Sequence, residues 1–166
     1  MESHELEMTV LMTPDMANFS GNVHGGTLLK LLDQVAYACA SRYAGRYVVT
    51  LSVDQVLFRQ PIHVGELVTF LASVNHTGRS SMEVGIKVLA EDIPTRRQRH
   101  VNSCYFTMVA IEDGRPAAIP ELEPVNEVQV RRRREAELRK SARLELSKRF
   151  EAGHPTPSAE TRKAGS

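Results

Sequence analysis

The sequence has no apolar run of the length that a membrane span requires. A transmembrane helix needs about 20 consecutive apolar residues, and every hydrophobic segment of this 166-residue chain is interrupted well before that. Residues 1–5 are acidic and lack the basic-then-apolar pattern of a secretory signal. We therefore expect a cytoplasmic location and no membrane partner.

The chain also has few groups suited to metal or thiol chemistry. Its only two cysteines, Cys39 and Cys104, lie in separate apolar segments, which favours buried free thiols over a disulfide. Neither belongs to a Cys/His cluster with metal-ligand spacing, so no metal site is expected. The Gly-x-Ser-x-Gly motif of a serine nucleophile is absent as well.

The composition indicates one domain with a basic extension. Hydrophobic residues make up 42% of the chain, enough for a full core at this length. Residues 1–123 hold 10 Lys/Arg and 14 Asp/Glu (net −4), whereas residues 124–166 hold 11 and 6 (net +5). We predict a domain over 1–123, a basic helix over 124–150 and a disordered tail over 151–166.

The basic helix contains four consecutive arginines at 131–134. Such a run usually forms a solvated helix face, although it could also meet phosphates. No aromatic residues are interleaved with it, so nucleic acid is not an expected partner.

Hydrophobic periodicity predicts an α+β fold. Apolar residues recur at helical spacing over 27–43, and Gly45 ends the helix. One strand is predicted before the helix, at 6–13, and four follow it with short connections, which favour antiparallel pairing. A single sheet with one apolar helix on its face is therefore expected.

The first strand after the helix has an irregular pattern. Val49, Leu51 and Val53 alternate with polar residues and are expected on one face. The apolar phase shifts after Asp54 and Gln55, which predicts a β-bulge at that point.

The run from Asn18 to Asp33 contains the most chemical information. A polar loop with Gly25 and Gly26 leads directly into the apolar helix. Backbone N–H groups at a helix start favour negative charge, and glycine lets a ligand approach the backbone closely. Asp33 is a candidate general base or nucleophile, so the run suggests acyl transfer or hydrolysis.

Simpler interpretations of the same residues remain open. Asp33 could be a half-exposed carboxylate paired with Lys30, and Asn18 could serve only to form a turn. His24 has no nucleophile beside it in the sequence, which favours a structural or substrate-shaping role.

A second polar segment forms a predicted turn between two strands. It comprises one cation and two hydroxyls after a glycine, namely Gly78, Arg79, Ser80 and Ser81. Such a turn could hold a phosphate or a pantetheine-like chain, although hairpin turns often have this composition.

Three ordered motifs resemble those of the hotdog-fold acyl-CoA thioesterases, in the cytosolic acyl-CoA hydrolase branch of brain-type and single-domain bacterial enzymes. The first is the run from Asn18 to Asp33, with Asn and Asp fifteen positions apart. The second spans residues 52–66, and the third, Gly-Arg-Ser-Ser-Met, spans 78–82. The resemblance covers residues 8–120.

The resemblance implies a long central helix wrapped by a curved antiparallel sheet, followed here by the C-terminal helix. Subunits of this kind pair into dimers with a continuous sheet and assemble as a trimer of dimers. The implied reaction is hydrolysis of fatty acyl-CoA to the fatty acid and coenzyme A, with no further cofactor.

The resemblance also implies residue roles at the dimer interface. Asp33 of one subunit would act as general base or nucleophile, while Asn18 of the other positions water or the thioester. The implied substrate contacts are His24, Gly25, Gly26, Gly78, Arg79, Ser80 and Ser81.

Two other classes of function remain as alternatives. One is another hotdog enzyme, such as an aryl-CoA thioesterase or a dehydratase, although the sequence shows no matching histidine signature for dehydration. The other is a non-catalytic sensor, which would bind acyl-CoA without releasing a thiol.

Overall fold

A computed structural model describes residues 3–153 of the chain. A short 3₁₀ turn, Pro14–Met16, precedes the long helix. The regular elements are β1 (Glu5–Leu11), α1 (Gly25–Ala44), β2 (Val48–Asp54), β3 (Leu67–Thr77), β4 (Ser81–Asp92), β5 (Arg97–Glu112), β6 (Arg115–Pro116) and α2 (Glu127–Gly153).

The sheet has the strand order β1-β3-β4-β5-β2, every neighbouring pair is antiparallel, and the two-residue β6 pairs with β5. Helix α1 contacts each of the strands β1 to β5. Because five strands are wider than one helix, the sheet has to curve around α1. The predicted α+β architecture is confirmed, as is the C-terminal helix.

The core lies between α1 and the inner face of the sheet. Helix α1 ends at Gly45, whose φ of 65° lies in the left-handed region that favours glycine. Alternating residues of the central strands supply the other side of the core, as the period of two predicts. The fully buried members include Leu32, Val35, Ala36, Val68, Phe70, Val84, Val88, Phe106, Met108 and Ala110.

The predicted bulge is present in β2 but lies at a different position. The register with β5 shifts between Thr50 and Ser52, so Leu51 is the extra residue and is 68% exposed. Val53 therefore does not share a face with Val49 as predicted. The phase change after Asp54 marks the end of the strand, because Gln55 leaves it with a φ of 40°.

Both cysteines are buried free thiols, as predicted. Burial raises the pKa of Cys39 and of Cys104 to about 12. A thiol with so high a pKa is protonated at neutral pH, so neither cysteine is a nucleophile.

Helix α2 packs on the outer face of the sheet through polar contacts. Arg139 donates to both carboxylate oxygens of Glu83, at 2.7 and 3.1 Å, and lies 3.5 Å from the centre of the Tyr105 ring. One turn further on, Arg143 donates to Asp54 at 2.6 Å. The helix extends through Gly153, and the rest of the predicted tail lies outside the described residues.

Neither α1 nor α2 is long and apolar enough to cross a membrane, within the part of the chain that the structure describes.

A partly buried ion pair fixes the segment between β2 and β3. The carboxylate of Glu66 accepts from Arg99 at 2.5 and 2.8 Å and from the backbone N–H of His63 at 2.8 Å. Arg99 also donates to the carbonyl of Pro61 at 2.7 Å. The hydrogen bonds from Arg99, and then that from His63, hold the pKa of Glu66 below its usual range against the opposing effect of burial.

We expect Glu66→Gln to lower the free energy of unfolding by about 2 kcal/mol at pH 7, because Arg99 is left partly buried without its counter-charge. Glu66 stabilises the fold when it is ionised, so this contribution is lost as the pH falls through and below the ordinary glutamate value of about 4.3. Denaturant titrations from about pH 2 to pH 8, a range that spans protonation of the Glu66 carboxylate, measure it. Glu7→Gln, at an exposed site on β1, is the matched control and should show little loss. An equal loss in both variants would contradict the assignment.

Candidate active site

Asn18 organises the loop that precedes α1. Its side-chain oxygen accepts from the backbone N–H of Ser20 at 2.9 Å, the hydroxyl of Ser20 at 2.7 Å and the N–H of Asn22 at 3.1 Å. A bridge between Ala17 and Val23 closes the loop. The amide nitrogen of Asn18 has no hydrogen-bond partner among residues 3–153. Asn18 therefore forms the turn and still presents a free donor.

His24 caps the N-terminus of α1. Its Nδ1 accepts from the N–H of Gly26 at 2.9 Å, so the proton of the neutral ring is on Nε2. The N–H of Gly26 is consequently occupied, unlike its neighbours among the backbone N–H groups at the helix start. The N–H groups of Gly25 and Thr27 have no acceptor in the described chain, and they lie at the positive end of the helix dipole.

Asp33 lies eight residues into α1, on its exposed side. Its Oδ1 accepts from the hydroxyl of Thr50 at 2.6 Å. The Thr50 hydroxyl also lies 3.6 Å from the sulfur of Met108, which marks the inner face of the sheet. No ion pair joins Asp33 to Lys30 in residues 3–153, so the carboxylate is oriented by β2 and not by its own helix.

Thr50 was not singled out by the sequence pattern. The signal was present, since Thr50 is two residues after the buried Val48 and so faces α1. The sequence pattern predicted the bulge after Asp54 and not at Leu51. Leu51 was therefore assigned to the apolar face, and Thr50 was assigned to the opposite face.

The donors at the start of α1 and the carboxylate of Asp33 are far apart within one chain. Gly26 precedes Asp33 by seven residues, which corresponds to about 10 Å along the helix axis. Reacting groups have to lie about 3–3.5 Å from each other. No hydrogen bond joins Asn18 to Asp33 in the described residues either. One protomer therefore carries two separated parts of a site.

The surface next to Thr50 is an open sheet edge. Within residues 3–153, strand β2 pairs with β5 alone, so its other side exposes unpaired backbone groups. Val53 and Phe58 are 42% and 48% exposed, and the rings of Tyr37 and Tyr47 lie 6.1 Å apart on the same side of the molecule as β2 and α1. An unpaired edge with exposed apolar side chains is typical of an interface.

The turn at 78–81 lies at another part of the fold. Gly78 donates to the carbonyl of Ser81 at 2.7 Å, and the carbonyl of Arg79 accepts from Ile119 at 3.0 Å. Met82 pairs with Met108, which pairs with Thr50. The turn is thus about two strand spacings, or about 10 Å, from Thr50, and it does not contact Asp33 in the same chain.

Among residues 3–153, no group of three or more His, Cys, Asp or Glu side chains could hold a metal ion.

Comparison with known proteins gives consistent matches. The profile of the thioesterase superfamily matches residues 20–96. Protein VdlD of Helicobacter pylori is 56% identical over 139 residues, 84% of this chain and 80% of that protein. Mouse acyl-coenzyme A thioesterase 11 is 35% identical over 87% of this chain, which spans 25% of that longer protein.

Solved structures are similar across the full fold. A hexameric acyl-CoA thioesterase in its apo form is 33% identical with a TM-score of 0.83, over 86% of this chain and 92% of that one. The acyl-CoA hydrolase of Staphylococcus aureus in complex with butyryl coenzyme A is 30% identical with a TM-score of 0.78, over 90% and 94%.

Three further structures of the Staphylococcus aureus enzyme, 28–29% identical with TM-scores of 0.75–0.80, carry single replacements by alanine. The replaced residues are an asparagine, an aspartate and a threonine. The asparagine is fifteen positions before the aspartate and the threonine seventeen after it. Asn18 and Thr50 have these same spacings from Asp33.

Proposed function

This chain belongs to the hotdog-fold acyl-CoA thioesterases of the thioesterase superfamily, and on that premise we propose that it hydrolyses fatty acyl-CoA. Water adds to the thioester carbonyl, the carbon–sulfur bond breaks, and the products are the fatty acid and coenzyme A with a free thiol. No cofactor is required beyond the coenzyme A that the substrate carries. A cytoplasmic location remains a prediction.

We assign the chemical steps to three groups. The carboxylate of Asp33, oriented by the hydroxyl of Thr50, removes a proton from water or attacks the carbonyl carbon itself. The N–H groups of Gly25 and Thr27, at the positive end of α1, polarise the carbonyl oxygen. The free amide nitrogen of Asn18 donates to the water or the thioester.

The separation along α1 is the observation that supports a shared site. The carbonyl donors and Asp33 of one helix are about 10 Å apart, so one thioester carbon cannot contact both. In a pair of chains related by a twofold axis, the start of one α1 can lie opposite Asp33 of the other. Each dimer then holds two equivalent sites, each with Asn18 from one subunit and Asp33 from its partner.

The open edge of β2 is the surface that would bring two such helices together. Pairing β2 with its copy satisfies the unpaired backbone groups and covers the exposed apolar side chains next to Thr50. Three such dimers would form a hexamer, the state named for the similar thioesterase structure. The turn of Gly78, Arg79, Ser80 and Ser81 is proposed to hold the phosphates of coenzyme A.

We expect Asp33→Asn to lower kcat by 10²–10⁴-fold, because the amide cannot accept the proton of water. Release of free thiol from a series of acyl-CoA chain lengths measures it. The matched control is Asp113→Asn in the exposed β5–β6 turn, which should retain full activity. Near-normal turnover by Asp33→Asn would refute the role of Asp33. Wild-type binding of acyl-CoA without thiol release would instead favour a sensor.

Thr50→Val should lower kcat about tenfold with little change in KM, because the isosteric side chain cannot hydrogen-bond the carboxylate of Asp33. Thr50→Ser keeps the hydroxyl and should recover most of the activity. If the serine and valine variants are equally impaired, the hydrogen bond is not the source of the effect.

A mixing experiment tests whether the site is shared between subunits. Asn18→Asp keeps the oxygen that holds the loop but removes the amide donor. This variant and Asp33→Asn should each fold and be nearly inactive alone. Mixed dimers of the two variants hold one intact site. Co-expression should therefore restore about a quarter of wild-type activity, since half of randomly formed dimers are mixed and one of their two sites is intact. Purified mixed dimers that stay inactive would place both residues in one subunit's site.

A further inference from the structure

Helix α2 brings a lysine to the turn between β3 and β4. The bidentate contact of Arg139 with the buried Glu83 fixes this part of α2 on the sheet. The next residue, Lys140, lies beside the turn, because its Nζ is 3.9 Å from the position that a Cβ on Gly78 would occupy. One turn earlier, Glu137 lies 3.8 Å from the Nε2 of His76, at the end of β3.

Several hydrogen-bond donors lie at this turn. The hydroxyl of Ser81 lies 3.2 Å from the same Cβ position on Gly78. Within residues 3–153, neither this hydroxyl, nor the ammonium of Lys140, nor the backbone N–H groups of Arg79 and Ser80 have a hydrogen-bond partner. The ammonium of Lys140 and the hydroxyl of Ser81 therefore lie at one small space that Gly78, without a side chain, leaves open, and the two N–H groups belong to the same turn.

The carboxylate of Glu137 lies near this turn, 3.8 Å from His76. Glu137 already accepts from Arg133 at 3.3 Å on its own helix. The guanidinium of Arg79 is exposed and adds a further positive charge. The pKa of His76 lies below its usual range, first because of burial and then because of the positive charge of Lys140, so the ammonium acts directly on the end of β3.

We propose that Lys140 and the turn 78–81 together form a phosphate-binding site. An ammonium supplies a compact positive charge, and hydroxyl and backbone N–H donors match the oxygens of a phosphate. The phosphate has two candidate sources, the adenosine phosphates of coenzyme A or a separate nucleotide. The first source rests on the proposed function. Coenzyme A bound at the proposed catalytic site could reach this turn, because the turn is about 10 Å from Thr50 across the sheet.

The experiment compares Lys140→Met with Lys148→Met, an exposed lysine two turns further along α2. Calorimetry on the full-length protein uses coenzyme A, pantetheine and inorganic pyrophosphate as probes. We expect Lys140→Met to weaken coenzyme A binding about tenfold and to leave pantetheine unchanged. Thiol-release kinetics should show a KM increase of the same size for acyl-CoA and none for acyl-pantetheine. Lys140→Arg, which keeps the charge, should recover most of the affinity.

The three possible results of the binding measurements lead to different conclusions about the ligand. Weaker coenzyme A binding identifies the substrate's own phosphates as the ligand. Weaker pyrophosphate binding with unchanged coenzyme A binding identifies a separate nucleotide as the source. Equal binding of all three probes by Lys140→Met and Lys148→Met overturns the proposal. Since calorimetry does not require turnover, the site stands even if Asp33→Asn remains active, and in that case only the proposed catalytic role fails.

Discussion

The rise of the α-helix, about 1.5 Å per residue, is the constraint on which the proposed site depends. It separates the donors at the start of α1 from Asp33 by about 10 Å, and α1 cannot bend to bring them together because it packs against all five long strands. A close-packed core transmits this rigidity to both groups. This separation is why the proposed chemistry takes the carbonyl donors and the carboxylate from two different chains.

The two faces of the sheet have different roles. The inner face is apolar and holds α1, while the outer face presents buried polar groups such as Glu83 and Asn75 to α2. Only Gln129 and Ala136 of α2 are buried, so its position depends on directed contacts from Arg139 and Arg143 and not on an apolar stripe. Directed contacts fix the rotation of α2 about its own axis and its position along the sheet. A specific lysine of α2 can therefore be placed at the β3–β4 turn.

Periodicity predicted the order of the long elements and the end of α1 at Gly45, since the apolar spacing of an element that packs in the core is a local property of the sequence. The pattern failed in β2, where an edge strand with a bulge exposes Leu51 and hides the role of Thr50. The sequence pattern also could not predict contacts between residues that are far apart in the sequence. The Asp33–Thr50 bond and the placement of Lys140 beside Gly78 arise from packing that no local spacing encodes.

The position of Thr50 links assembly to chemistry. Thr50 lies on the open edge strand and its hydroxyl orients Asp33, so the contact that would join two chains is adjacent to the proposed base. Pairing at this edge would bring a partner chain next to the carboxylate and would cover it from water. The exposed Asp33 of a separate chain has neither this environment nor the donors of a partner's helix. Dimer formation and the assembly of a competent site would then be one event.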